Sequence, residues 1–173
     1  MNTPSKPTPG TPGKGPTPQG LTSDQLAHMR ETVEQQARLV MKKIPILGAV
    51  AWLMLQKGAT RNALLADLEW RVMPPLVLEQ CKLYLRSDAP TGFVSWARLS
   101  PEVAKRYRSY PHQLAASDWR TGEDIWLVDF LVPFGGAQDV LQDLRSTVFA
   151  GKAVHQLAPQ DDAEARVVTW PAL

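Results

Sequence analysis

Asp129 stands in an otherwise apolar, β-rich run, Ile125 to Val132. A carboxylate between Val128 and Phe130 in a buried strand is costly unless it is paired or hydrogen-bonded. Two readings are open. One is a group at the end of a central strand that orients a reactant or handles its proton. The other is a carboxylate that caps a neighbouring loop or helix. Pro133-Phe134-Gly135-Gly136 follows at once. Glycines between a strand and a helix N-terminus let backbone N–H groups approach an anion or a polarised carbonyl. The motif lacks the Lys-Ser/Thr of a P-loop and the spacing of a dinucleotide site, and a tight turn is the plain alternative. His28, His112 and His155 have no Cys, Asp or Glu at metal-ligand spacing, and each reads as a surface histidine. Ser95 lacks a G-x-S-x-G setting, so a nucleophile elbow is not supported. The one cysteine, Cys81, excludes an internal disulfide framework and a cysteine-based zinc site.

The chain has 173 residues, which suits one domain. Residues 1–20 hold Lys6 and Lys14 and no acid; the rest carries 17 basic and 17 acidic groups and is neutral. A neutral body argues against a nucleic-acid binder that works by phosphate neutralisation. The first 20 residues are half Pro and Gly, so a disordered tail is expected there, with the domain over residues 21–173. The tail has no apolar central region and is not a signal peptide.

The elements that must position these groups follow from periodicity and punctuation. A helix is expected from Thr22 or Ser23, with Ser23 as cap, to Lys42-Lys43, closed by Pro45. A second, buried helix is expected from about Ile46 to Gln56. The apolar run from Ile44 to Leu55 is about twelve residues, short of the roughly 20 a bilayer needs, so no membrane span is expected. Lys57 to Arg61 is a loop. Asn62 should cap a helix through Leu64, Leu65, Leu68 and Val72, ended by Pro74-Pro75. Alternation from Cys81 to Arg86 predicts a strand, Asp88 to Gly92 a turn, and Phe93 to Leu99 the second arm of a hairpin. Ser100-Pro101-Glu102 predicts a helix start, and Pro111 its stop. Ser117 to Asp124 reads as a polar loop. A buried central strand, a helix over roughly Ala137–Phe149, and strands at Val154–Leu157 and Arg166–Trp170 complete the chain. This order suggests an α/β or α+β domain with one central sheet and helices on its faces.

Several of these segments together resemble a family. Leu47-Gly48-Ala49-Val50-Ala51-Trp52-Leu53-Met54, then Arg61, then Met73-Pro74-Pro75, is similar to the opening of the toxin-activating lysine acyltransferases of RTX toxin operons. Phe93-Val94-Ser95-Trp96-Ala97 looks like that family's central strand. Its most specific block resembles Ser117-Asp118-Trp119-Arg120-Thr121-Gly122-Glu123-Asp124, then Trp126 to Phe130, then Pro133-Phe134-Gly135-Gly136. The resemblance covers roughly residues 45–157. It implies a GNAT-like fold with a central mixed sheet. It implies transfer of a fatty acyl chain from acyl carrier protein to internal lysine ε-amines of a protoxin, in the cytoplasm, with no bound cofactor or metal. The implied partners are acyl carrier protein and an RTX-type protoxin or other client; nucleic acid and membrane insertion are not implied, and a homodimer is compatible with it.

A histidine and an aspartate are that family's proposed catalytic pair. The aspartate falls on Asp129. The histidine belongs to a Ser-Pro-x-His-Arg segment that reads Lys57-Gly58-Ala59-Thr60-Arg61 here, so Thr60 holds its position and Arg61 is kept. Arg61, Trp96, Gly135 and Gly136 are the substrate-binding candidates. A lysine nucleophile must lose a proton, and its unperturbed pKa is about 10.4. A threonine hydroxyl cannot accept that proton near neutrality, whereas a histidine can. Two hypotheses therefore stand. The chain is an acyltransferase, in which Thr60→His should raise transfer, or it is a catalytically impaired relative that keeps the acyl-carrier or client surface.

Overall fold

The computed structural model describes residues 22–158 and 165–172. The expected tail over 1–20 and the acidic turn after Ala158 lie outside the described residues. The chain divides into two compact units, Met1–Ala37 and Arg38–Leu173, taken separately below. In the first, the described residues form the start of helix α1 (Ser23–Gln56). Its cap is Thr22 rather than Ser23. Thr22 Oγ1 accepts from the Gln25 amide at 3.3 Å, and Gln25 Oε1 accepts from the Thr22 amide at 2.9 Å. This is a reciprocal capping box, with glutamine three residues after threonine.

The expected break at Pro45 does not occur; the proline lies inside α1. An interior proline costs about 3 kcal/mol through its lost N–H and ring clash. Burial beyond it outweighs that cost. Val50, Leu53 and Met54 pack with Val72, Leu76, Phe93 and Leu131. Because the helix is continuous, one 18-residue window of it reaches a mean hydropathy of 1.4, long and apolar enough by composition to cross a membrane. The expectation of too short a run is corrected on that count.

After the loop, α2 (Asp67–Arg71) and α3 (Met73–Val77) replace the single expected helix. Asp67 Oδ2, not Asn62, holds the entry by accepting from the Leu64 amide at 2.8 Å. Leu64 and Leu65 are exposed. Pro74 and Pro75 open α3 rather than end α2, because an N–H is not needed in a helix's first turn.

One five-stranded mixed sheet follows, in the order β1 (Cys81–Arg86), β2 (Ala89–Leu99), β3 (Asp124–Leu131), β4 (Val154–Ala158), β5 (Arg166–Trp170). Only β3 and β4 run parallel, joined by α5 (Ala137–Thr147). The hairpin turn is tighter than expected: Ser87 and Asp88, at φ 48° and 65°, are the two linking residues. Pro90 to Gly92 belong to β2. Two left-handed residues match a strand pair's own twist, which explains the short connection. α4 (Pro101–Arg108) starts where expected, with Ser100 Oγ accepting from the Val103 amide.

The segment expected to be a polar loop is a buried clasp. It contains a 3-10 turn, Ala116–Trp119, with Trp119 fully buried. Asp118 accepts from Arg106 at 2.5 Å and from the Ala115 amide at 2.7 Å. Thr121 and Gly122 both donate to the Arg98 carbonyl, at 2.9 and 3.1 Å. A Cβ on Gly122 would lie 2.3 Å from the Leu99 carbonyl oxygen. The contact is with backbone, so nothing can yield cheaply. Gly122→Ala should destabilise the domain by about 3 kcal/mol, the upper end for overpacking, read as a lowered midpoint in chemical denaturation. The Ser117–Gly122 block is therefore structural: it fastens the end of β2 to the β3 entry.

Candidate active site

β2 and β3 pair from Leu99↔Asp124 to Phe93↔Leu131, with a register shift between Ser95 and Trp96. Ser95 faces Asp129 and Trp96 faces Leu127, so Val128 is the extra residue of a bulge. Regular alternation would put Leu127 and Asp129 on one face. The bulge separates them. Leu127 packs with Leu144 and Phe149 on the α5 side, while Val128 packs against the α4 cluster. Beyond the bulge, β4 leaves β3. Their ladder runs only from Ile125↔Val154 to Leu127↔Gln156, and Val128 to Leu131 have no β4 partner.

At this parting the sheet carries a cavity of about 390 Å³ lined by Lys57, Thr60, Arg71, Tyr107, His112, Asp129 and Gln156, among others. Asp129 is 2% exposed. Its amide donates to Ser95 Oγ at 3.1 Å. Its Oδ1 takes both Arg71 Nε, at 2.7 Å, and Arg71 Nη2, at 2.5 Å. The Asp129 side chain thus accepts from a side chain of α2 and, among the described residues, from no backbone amide. Its Oδ2 is closed to solvent and has no hydrogen-bond partner among the described residues. Burial pulls the Arg71 guanidinium's pKa down, but the hydrogen bond and charge of Asp129 outweigh it and hold the pKa above its ordinary value. The Tyr107 phenol is pushed up, by burial first and by Asp129's charge second, with Arg71 opposing.

Thr60 is brought to the same cavity as Asp129, as the resemblance implies. It is 5% exposed, and Oγ1 donates to the Met54 carbonyl at 2.9 Å, with Lys57 O at 3.3 Å. The hydroxyl closes the C-terminal end of α1, work that needs no base. Lys57 pins the loop to β3 by donating from Nζ to the Phe130 carbonyl at 2.7 Å.

The other candidates lie elsewhere. Arg61 lines a second cavity of about 240 Å³ with Met54, Leu64 and Leu68, and Thr60 borders both cavities. Trp96 stands edge-on to Phe149, centroids 5.2 Å apart, beside Arg98, Arg120 and Lys152. Gly135 and Gly136 have φ 88° and 82°, and Gly136 is the N-cap of α5. They are not among the residues lining the Asp129 cavity. Ala137 and Gln138, just after them, line a smaller, apolar cavity of about 200 Å³ with Phe130, Leu141, Gln156 and Trp170. Phe130 and Gln156 line both cavities at the parting of β3 and β4.

Sequence reasoning missed Arg71 and His112. Arg71 carried a faint signal, a cation three residues after Leu68 and beside Val72 on an otherwise apolar stripe. His112 was expected on the surface. It is half-buried and lines the cavity. Among the described residues no group of three or more His, Cys, Asp or Glu could hold a metal.

The RTX toxin acyltransferase family, HlyC, matches residues 39–171. The chain is similar to the protein-lysine myristoyltransferase RtxC of Kingella kingae, 30% identical over 105 residues, 61% of this chain and 63% of the relative. It is similar to the protein-lysine myristoyltransferase HlyC of Escherichia coli, 34% identical over 96 residues, 56% of each chain. It is similar to the lysine-acyltransferase RtxC of Vibrio cholerae, 30% identical over 117 residues, 66% of this chain and 76% of the relative. The chain thus spans 63% and 56% of the first two relatives' lengths. The match over residues 39–171 takes in the whole cavity wall, from Lys57 to Leu157, and on it the chain belongs to the RTX toxin acyltransferase family.

Proposed function

We propose that this chain is a protein-lysine acyltransferase. It moves a fatty acyl group from acyl carrier protein to lysine ε-amines of an RTX-type protoxin in the cytoplasm, on a GNAT-like fold. Family membership and the relatives' lysine-acylating activities support the reading. One observation carries it. Asp129 Oδ1 is saturated by Arg71, while Oδ2 has no partner among the described residues and belongs to a residue of the cavity wall. A buried acceptor without a donor costs about 1–3 kcal/mol, and an arriving lysine ammonium would satisfy it. Because Oδ2 is closed to solvent, the ammonium reaches it only when the carboxylate or the cavity wall shifts. Arg71 holds the carboxylate through Oδ1, so Asp129 positions the amine.

The reaction needs no cofactor beyond the acyl thioester. The amine nitrogen bonds to the thioester carbonyl carbon, the C–S bond breaks, and the carrier's thiol is released. The second reading, a binding relative without turnover, is favoured by Thr60, whose hydroxyl is committed to the end of α1. Incubating the full chain with acyl-loaded carrier protein and a lysine-bearing client separates the two. The expected result is a client mass increased by one acyl chain per modified lysine. A stable complex with the carrier and an unmodified client across acyl lengths would establish the binding relative instead.

A further inference from the structure

We infer that His112 is the proton acceptor for the substrate lysine in this chain, working from the α4 side of the cavity. The inference rests on the acyl-transfer reading above and adds its missing base. His112 follows α4 after Pro111 and lines the Asp129 cavity. Its ring is anchored through one nitrogen. Nδ1 lies 3.1 Å from the Tyr107 carbonyl oxygen, which can only accept, so Nδ1 carries the hydrogen. In the neutral imidazole that leaves the lone pair on Nε2, the tautomer a general base requires. Tyr107 lines the same cavity, so the residue that anchors the ring also forms the wall beside it. The backbone of His112 is left-handed, at φ 59°, with its amide donating to the Ser109 carbonyl at 3.0 Å. Such a conformation is uncommon outside glycine and clusters at functional sites.

The other titratable groups that face the cavity do not serve. Lys57 donates to the Phe130 carbonyl and Arg71 to Asp129, so both already serve as donors within the wall. Burial keeps the Tyr107 phenol protonated. Asp129 taking a proton would leave the guanidinium of Arg71 without its counter-charge. Tyr110 sets its ring edge against His112, with centroids 6.3 Å apart. That leaves the imidazole.

In the step, the lysine ammonium gives one proton to Nε2. The neutral amine attacks the thioester carbon and the C–S bond breaks. The thiolate takes a proton back from the imidazolium, and the second proton lost by the nitrogen passes to water. The test is His112→Asn. Asparagine tolerates a left-handed backbone, and its amide can still donate to the Tyr107 carbonyl. With acyl-carrier donor and client lysine, kcat at pH 7 should fall about 10²-fold. The deficit should shrink toward pH 10, where lysine loses its proton unaided, and added imidazole should restore part of the rate. A wild-type rate in His112→Asn at pH 7 would overturn the assignment alone. So would an equal deficit at both pH values with a lowered melting temperature, the mark of a structural role. No transfer by the native chain under the same conditions would overturn the acyltransferase reading, and this assignment with it.

Discussion

Asp129→Asn should leave the sheet assembled and lower acyl transfer by about 10²-fold or more, the scale seen when one preorganised electrostatic group is removed from a reacting centre. The amide keeps the shape of the carboxylate and still offers one oxygen to Arg71 Nε and Nη2. It lacks the charge that would hold an ammonium. Arg71, 24% exposed at its side chain, would lose its counter-ion. Losing the ionic part of such a bond costs about 2 kcal/mol. Thermal denaturation should therefore show a modest drop and one cooperative transition. Arg71→Leu should cost more stability, about 3–5 kcal/mol, because it strands a carboxylate that is 2% exposed. Steady-state transfer by Asp129→Asn at the native rate would remove Asp129 from the reaction.

Thr60→His placed in the His112→Asn background should recover transfer by at least about 10-fold, part of what a positioned base supplies. Both positions line one cavity of about 390 Å³, so an imidazole at 60 borders the same space as Asp129. The cost is the hydroxyl that donates to the Met54 carbonyl, a cap worth about 1 kcal/mol. In the native background the gain should be smaller, because a base is already in place. Transfer rates of the four combinations at pH 7 decide it. Failure of Thr60→His to rescue His112→Asn would mean that position 60 does not reach the reacting amine.

Local signals were legible wherever one residue decides the backbone. Ser100-Pro101 gave the start of α4, and the unbroken apolar run gave β3 its central place. Prolines misled where position inside the helix mattered. Pro45 is tolerated because Val50, Leu53 and Met54 are buried beyond it, and Pro74-Pro75 open α3. The hairpin turn was placed late because Pro90 and Gly92 look like turn residues, whereas Ser87 and Asp88 adopt the left-handed angles. At the site, Asp129 and Thr60 were readable through the resemblance, and the cavity joins them. Arg71 and His112 were not. Arg71 is 58 residues from its partner in sequence, and His112 reaches the cavity through a loop whose path no periodicity encodes. Nor can spacing reveal the bulge at Val128, which decides which face receives the carboxylate. The glycines of Pro133-Phe134-Gly135-Gly136 looked like anion donors because of their place before a helix; the fold sets them apart from the Asp129 cavity.

Sheets ordinarily keep unpaired backbone at their outer margins. Here β3 carries an interior margin beyond Leu127, where β4 has turned away. A strand edge invites another chain to add to it, and proteins blunt such edges with lysines and irregular register. β3 has both, a bulge opposite Ser95–Trp96 and the ammonium of Lys57 on the Phe130 carbonyl. Lys57 thereby occupies a backbone acceptor at a margin the sheet itself leaves unfinished, and its loss would leave the Phe130 carbonyl without that donor.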